Sequence, residues 1–247
     1  MTHTPDPQLF ERPVNILVVG CGGNGSAIAG GLPYLHQVLL AFGHPGGLNV
    51  TLIDPDTVNE NNCVRHPFCR TEVGLSKAVV LAHRTNMFWG LNWQGMQARV
   101  EQLKSGNKVD IVLGCVDTRK ARRSINRWVL RSRVLYWLDL GNNAANGQFV
   151  LGQPNNSANR KKQHRLPTVA ELYPIVATKG QEDEQPSCSA AEALTRQEPF
   201  INQNLAYQAL AMLTQLLRRG SLSYHGGFCN PTSGQLVPLP IRWAVAG

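Results

Sequence analysis

Four glycines, Gly20, Gly22, Gly23 and Gly25, follow the apolar run VNILVV (residues 14–19) directly and lead into a stretch with helical character. In that setting a G-x-G-x-x-G spacing makes a phosphate-binding turn. Glycines let the backbone approach the anion, and the free N–H groups of the helix start point at it. A tight strand-to-helix connection without a ligand is the plainer alternative. The turn alone does not separate a dinucleotide from ATP.

Further groups capable of chemistry lie downstream. Asp54 ends the second apolar run, LNVTLI (residues 48–53), where an acidic side chain commonly binds ribose hydroxyls. Within Asp54-Pro55-Asp56 it could equally be a turn carboxylate. Asn62, Arg65, Gly74 and Lys77 follow in order. Lys77 falls in the first turn of an expected helix, where a cation opposes the helix dipole. A phosphate between Lys77 and the glycine turn would remove that conflict. Asp117 follows VDIVLGCV (residues 109–116) at its carboxyl end, the edge where open α/β sheets bind ligands. It could cap a helix or hold magnesium beside nucleotide phosphates.

The elements that must position these groups alternate. Strands are expected at 14–19, 48–53, 94–100, 111–116, 133–138 and 147–151. Helices are expected at 27–42, interrupted or bent by Gly30, Gly31 and Pro33, then at 75–89 and 118–130. Such alternation argues an α/β fold, a Rossmann-like doubly wound sheet. Residues 153–165 and 176–199 read as polar loops. A helix is expected at 200–218, then a short hairpin around Asn230–Gly234. The chain reads as one domain over 1–247. Residues 14–150 are its nucleotide-binding half, and 151–247 carry a crossover loop, a helix and terminal strands.

The ordered motifs Gly20-Cys-Gly-Gly-Asn-Gly25, Asp54-Pro-Asp-Thr-Val58, Asn62-Cys-Val-Arg65, Gly74-Leu-Ser-Lys77 and Asp117 resemble the ubiquitin-activating enzyme superfamily (ThiF, MoeB and HesA-like proteins). Within it the chain looks most like the ThiF-related branch of PRTRC cassettes. The resemblance covers about residues 14–150 and extends to Gly147-Gln148. It implies a mixed sheet, a homodimer, and ATP-dependent adenylation of the C-terminal carboxylate of a ubiquitin-like or sulfur-carrier protein. Carried over, Asp54 binds the ribose, with Asp56 in the same nucleotide-binding motif, and Asn62, Arg65 and Lys77 bind phosphates. Asp117 organises Mg2+, and Arg65, Lys77 and Asp117 carry the catalysis.

Three departures stand out. His66 replaces a frequent glutamine, and Thr118 a frequent asparagine. Only 13 residues precede the first strand, so the family's arginine-bearing N-terminal helix is almost absent and any arginine acting in trans is unassigned. No C-x-x-C occurs among the six cysteines, so no structural zinc is expected. Cys188 lies beside the helix-start signal Ser189-Ala-Ala-Glu192, where a cysteine gains thiolate character; the resemblance implies that it accepts a thioester or takes part in sulfur transfer, and an inert core cysteine is the plainer alternative. Cys21 and Cys115 read as structural.

A hydrophobic content of 43% and a charged content of 16% exclude a disordered chain. The net charge of +8 favours acidic partners. Part of it concentrates in Arg119–Arg133, with seven cations and no acid, and in Arg160–Arg165. A solvated face is the plain reading, and an acidic protein partner comes next. Nucleic acid ranks below both, because no nucleic-acid motif accompanies the charges. No signal peptide or membrane-spanning stretch is expected, which makes the cytoplasm the default compartment. An NAD(P)-binding oxidoreductase would use the same turn and Asp54 but leaves Asn62, Arg65 and Lys77 unexplained. A non-catalytic nucleotide-binding scaffold is the remaining alternative.

Overall fold

A strand covered on both faces must be apolar at odd and even positions alike, and β1 (Val14–Val19) meets that demand from Ile16 onward. Its even side chains, Ile16 and Val18, join one buried cluster, while Leu17 and Val19 join a second on the opposite face. The computed structural model describes residues 1–104, 106, 108–143, 146–178 and 199–242. Within them β1 is an interior strand of an eight-stranded sheet of order β3-β2-β1-β4-β5-β6-β7-β8.

The other strands are β2 (Leu48–Ile53), β3 (Gln94–Met96), β4 (Ile111–Gly114), β5 (Tyr136–Asn142), β6 (Gly147–Gly152), β7 (Tyr224–Asn230) and β8 (Gln235–Pro240). Strands β1 to β5 pair parallel. From β5 to β8 the pairing is antiparallel. The expected mixed, doubly wound sheet is therefore present, and its terminal hairpin forms the sheet edge. The chain leaves β1 in one direction to reach β2 and later returns to the other side for β4. That reversal opens a crevice at the carboxyl ends of β1 and β4.

Helices cover both faces. On one side, α1 (Gly23–Ala41) and α6 (Ile201–Thr214) bury Ile28, Leu32, Leu39, Leu205 and Leu213 against the sheet, with α3 (Lys77–Trp89) alongside. On the other, α4 (Arg119–Arg131) contributes Ile125, Trp128 and Val129. Each such large apolar side chain stabilises the fold by roughly 1.5–3 kcal/mol. Two short helices, α2 (Asn62–Arg65) and α5 (Val169–Leu172), complete the set, and a π-turn (Gln215–Arg219) extends α6. Among the described residues no helix is long and apolar enough to cross a membrane.

Three expectations need correction. Helix α1 begins at Gly23 and runs unbroken through Gly30, Gly31 and Pro33. Pro33 removes one backbone donor, a loss of about 3 kcal/mol in an isolated helix, but Leu32, Pro33, Leu35, His36 and Leu39 are all buried there. Gly31 is needed for close approach, since a Cβ would lie 2.3 Å from the Leu210 side chain of α6. The strand expected at 94–100 ends at Met96 and gives way to a 3-10 turn at Val100–Gln102. The strand expected at 133–138 begins at Tyr136 and runs to Asn142.

Residues 153–165, expected as a polar loop, contain two buried anchors. The Asn156 side-chain amide donates to the carbonyls of Val129 and Val134 at 3.0 and 2.8 Å, and Asn159 to those of Val134 and Leu135 at 3.0 and 3.1 Å. These asparagines supply donors for the carbonyls left over where α4 ends and β5 begins.

Candidate functional site

The glycine turn is built by backbone approach. Gly20 adopts φ +93°, a left-handed conformation that favours glycine, and a Cβ there would meet the Cys115 carbonyl at 2.7 Å. A Cβ on Gly25 would fall 1.8 Å from the Gly20 carbonyl oxygen, so the first turn of α1 folds directly onto the loop before it. At Gly23 a side chain would collide with Asn202 of α6. Gly22, the N-cap of α1, faces open space. The turn is thus tight beneath and open above, as an anion cradle requires.

Asp54, only 5% exposed, holds this turn in place. Its Oδ2 accepts from the Cys21 N–H at 2.5 Å and its Oδ1 from the Asp56 N–H at 2.8 Å. Burial raises its pKa, against the opposing pull of those two N–H groups. The neighbouring carboxylate differs: the Asp56 side chain is 66% exposed, and its Oδ2 sits 3.3 Å from Lys77 Nζ. Lys77 is the first residue of α3 and is buried. The expected placement of a cation at that helix start is therefore met.

Asn62 opens α2 and exchanges hydrogen bonds with Asn59: each backbone N–H donates to the other's side-chain oxygen at 3.0 Å. Arg65 closes the same helix, half-buried. Burial, then Arg65 and Lys77, push the neighbouring His66 down to about 4. Asp117 is exposed beyond the end of β4, and it does not cap α4. Thr118 does that, its Oγ1 accepting from the Ala121 N–H at 3.2 Å. The capping alternative for Asp117 is thereby removed.

The structure brings Gly20, Gly22, Gly23, Gly25, Asp54, Asp56, Lys77 and Asp117 to one sheet edge, on the loops and helix starts that follow β1, β2 and β4. Asn62 and Arg65 lie on the segment between Asp56 and Lys77. Cys188 lies outside the described residues. Burial raises the thiol pKa of both Cys21 and Cys115, which keeps them protonated and fits their structural reading.

Two features at this edge belong to none of the motifs above. Asn24 in the glycine turn is buried and donates to Asn142 Oδ1 at 2.8 Å, tying α1 to the end of β5. Arg122 of α4 reaches inward to Asp139, with Nε 3.1 Å from Oδ2. Its Nη2 donates to the carbonyls of Val116 and Leu140 at 2.8 and 3.2 Å. One guanidinium thus ties the ends of β4 and β5. Asp139 is fully buried, and burial lifts it to about 6 against the pull of Arg122. Of the basic run, then, one cation is internal. In the second cluster Lys162 pairs with Asp6 at 2.9 Å and Arg165 with Glu171 at 2.5 Å.

The buried histidines set an acid limit on the fold. Burial, then Lys162 and His225, hold His3 at about 4 as well. Both His3 and His66 lie below the ordinary 6.5, so the unfolded chain binds protons that the folded chain refuses, and stability falls as pH drops from 6.5 toward 4. Asp139 acts oppositely: raised above its ordinary 3.8, it adds stability on acidification below about 6. Burial lowers His36 and His225 as well and raises Asp54, so four histidines stand against two carboxylates and the balance is a net loss. The melting temperature is expected to fall across that window, and a flat or rising profile would refute this balance.

A family model described as the ThiF family matches residues 8–234. Over 165 residues the chain is 30% identical to ubiquitin-like modifier-activating enzyme 5 of Dictyostelium discoideum, covering 60% of this chain and 40% of that protein. The Xenopus laevis enzyme of the same name is also 30% identical over 165 residues, with 60% and 39% covered. The chain spans about two fifths of the length of these relatives. Among solved structures, E. coli MccB with ATP has a TM-score of 0.62 at 16% identity, covering 97% of this chain and 68% of that one. That last likeness is one of fold.

Proposed function

The chain belongs to the ThiF family, and from that premise we propose that it is an ATP-dependent enzyme that adenylates the C-terminal carboxylate of a ubiquitin-like or sulfur-carrier protein. The observation that carries this reading is Lys77, a buried cation at a helix start, beside an exposed carboxylate and on the same sheet edge as an open glycine turn. A dinucleotide site has no need of that lysine.

The residues fit a nucleoside triphosphate. Space stands open over Gly22, and the N–H groups at the start of α1 face the edge where the phosphates would lie. Lys77 and Arg65 neutralise phosphate charge, and Asn62 braces the loop that carries Arg65. Asp54 fixes the glycine turn from beneath. With both of its oxygens already accepting backbone N–H groups, the exposed Asp56 is better disposed toward the ribose. Asp117 would hold Mg2+, which when bound supplies further screening of phosphate charge.

In the reaction an oxygen of the carrier carboxylate forms a bond to the α-phosphorus. The bond from that phosphorus to the bridging oxygen of the β-phosphate breaks, and pyrophosphate leaves with the electron pair. No protein nucleophile is required for this step. Positioning and charge neutralisation lower the barrier. Subsequent thioester transfer to Cys188, a homodimeric assembly and a cytoplasmic setting are parts of the same proposal. So is assignment to the PRTRC-cassette branch, which rests on the motif series alone. The exposed cations of α4, Lys120, Arg127 and Arg131, are offered to an acidic carrier.

Equilibrium binding separates this reading from an oxidoreductase. ATP with magnesium is expected to bind at least about tenfold, or 1.4 kcal/mol, more tightly than NAD. Preferential binding of NAD would overturn it.

A further inference from the structure

His66 occupies an unusual position. Its Nδ1 is buried with no hydrogen-bond partner. The ring is held edge-on by Phe68, with centroids 6.5 Å apart and planes at 70°. The Arg84 guanidinium also lies over Phe68, 5.7 Å from its centroid, and pairs with Glu72 at 3.5 Å. The charges facing the imidazole are Arg65 of α2 and Lys77 of α3, the latter carrying Asp56. A buried polar atom without a partner costs stability, and here it lies among the cations assigned to the phosphates.

We propose that His66 is itself a ligand of the nucleotide phosphates and takes up a proton as the nucleotide binds. This rests on the ATP reading above. Without nucleotide the two cations and burial keep the ring neutral. A polyphosphate cancels the field of Arg65 and Lys77 and sets anionic oxygens near the ring, so the same surroundings then favour imidazolium. Both ring nitrogens carry hydrogen in that form, which makes Nδ1 a donor with an acceptor to meet. The proton comes from a buffer acid and leaves its conjugate base behind. No other bond changes.

Titration calorimetry of ATP–magnesium into the full chain, in buffers of differing ionisation enthalpy near about pH 6.5, reads this directly. Wild type is expected to take up about one proton more per nucleotide than His66→Gln. Comparing the two proteins removes the nucleotide's own ionisation. The His66-dependent part of the affinity should tighten as pH falls, by at most about tenfold per unit. Equal proton uptake by both proteins, with binding retained, overturns the role of His66 and leaves the adenylation reading standing. Absence of ATP binding by wild type overturns both. Should His66→Gln fail to fold, the His66 ring resonance in wild type serves instead. It should move to the protonated position on ATP addition, and a resonance that stays neutral refutes the proposal.

Discussion

Replacing Lys77 by alanine is expected to lower ATP–pyrophosphate exchange by at least about 10²–10³-fold, the loss typical of removing one preorganised charge-stabilising donor. The fold should survive. Alanine is the best helix former, and a cation at a helix start opposes the dipole, so α3 loses no favourable charge contact there. The ion pair given up involves a carboxylate whose side chain is 66% exposed, and pairs of that kind contribute about 0–1 kcal/mol. The informative comparison is therefore activity against melting temperature. Full exchange by Lys77→Ala removes the lysine from the mechanism. A loss of exchange that merely tracks unfolding assigns it to structure.

The second large effect concerns stability. Arg122→Ala leaves Asp139 buried without its partner, and removing one member of a buried pair costs about 3–5 kcal/mol. Two further acceptors, the carbonyls of Val116 and Leu140, lose their donor in the same change. Urea unfolding should show the loss as a shift of midpoint. Arg122→Met combined with Asp139→Leu should recover most of it, because a well-packed apolar pair replaces a desolvated ionic one. A single-variant cost below about 1 kcal/mol, the scale of a surface pair, would contradict the role given to Arg122. The same tie sets the loop that carries Asp117 and the end of β5 that carries Asn142, so exchange activity should decline in Arg122→Ala even where the fold persists.

Much of the architecture was legible because local and global demands agree in it. The apolar runs at 14–19, 48–53 and 111–116 read as strands, and all three are, the second leaving Asn49 exposed and the third ending at Gly114. The glycine turn was legible for a similar reason, since its conformation allows few other residues. The misreadings arose where a distant segment decides. Gly31 looked like a breaker of α1 and is instead the contact with Leu210. Asn156 and Asn159 do lie in the expected loop, and what residue type left hidden is their burial, with amides that serve carbonyls of Val129, Val134 and Leu135.

At the proposed site, residue type singled out Lys77 and Asp117 but did not separate Asp54 from Asp56. Both are aspartates of one short motif, and only burial shows that Asp54 holds the turn while Asp56 faces outward. Arg122 was hidden in a run of cations. Its spacing from Ile125 and Val129, three and seven residues on, places it on the inward stripe of α4, and that signal was present in the sequence. Cys188 lies outside the described residues, and its part in the reaction remains within the proposal.

The central claim is that the nucleotide is ATP and that a protein carboxylate attacks it. Exchange of labelled pyrophosphate into ATP by the wild-type chain, with and without candidate ubiquitin-like or sulfur-carrier proteins, measures this step alone. Exchange is expected to require a carrier with a free C-terminal carboxylate, to disappear when that terminus is amidated, and to fall with Lys77→Ala. Exchange that proceeds equally with the amidated carrier, or ATP binding with no exchange for any carrier, would contradict it.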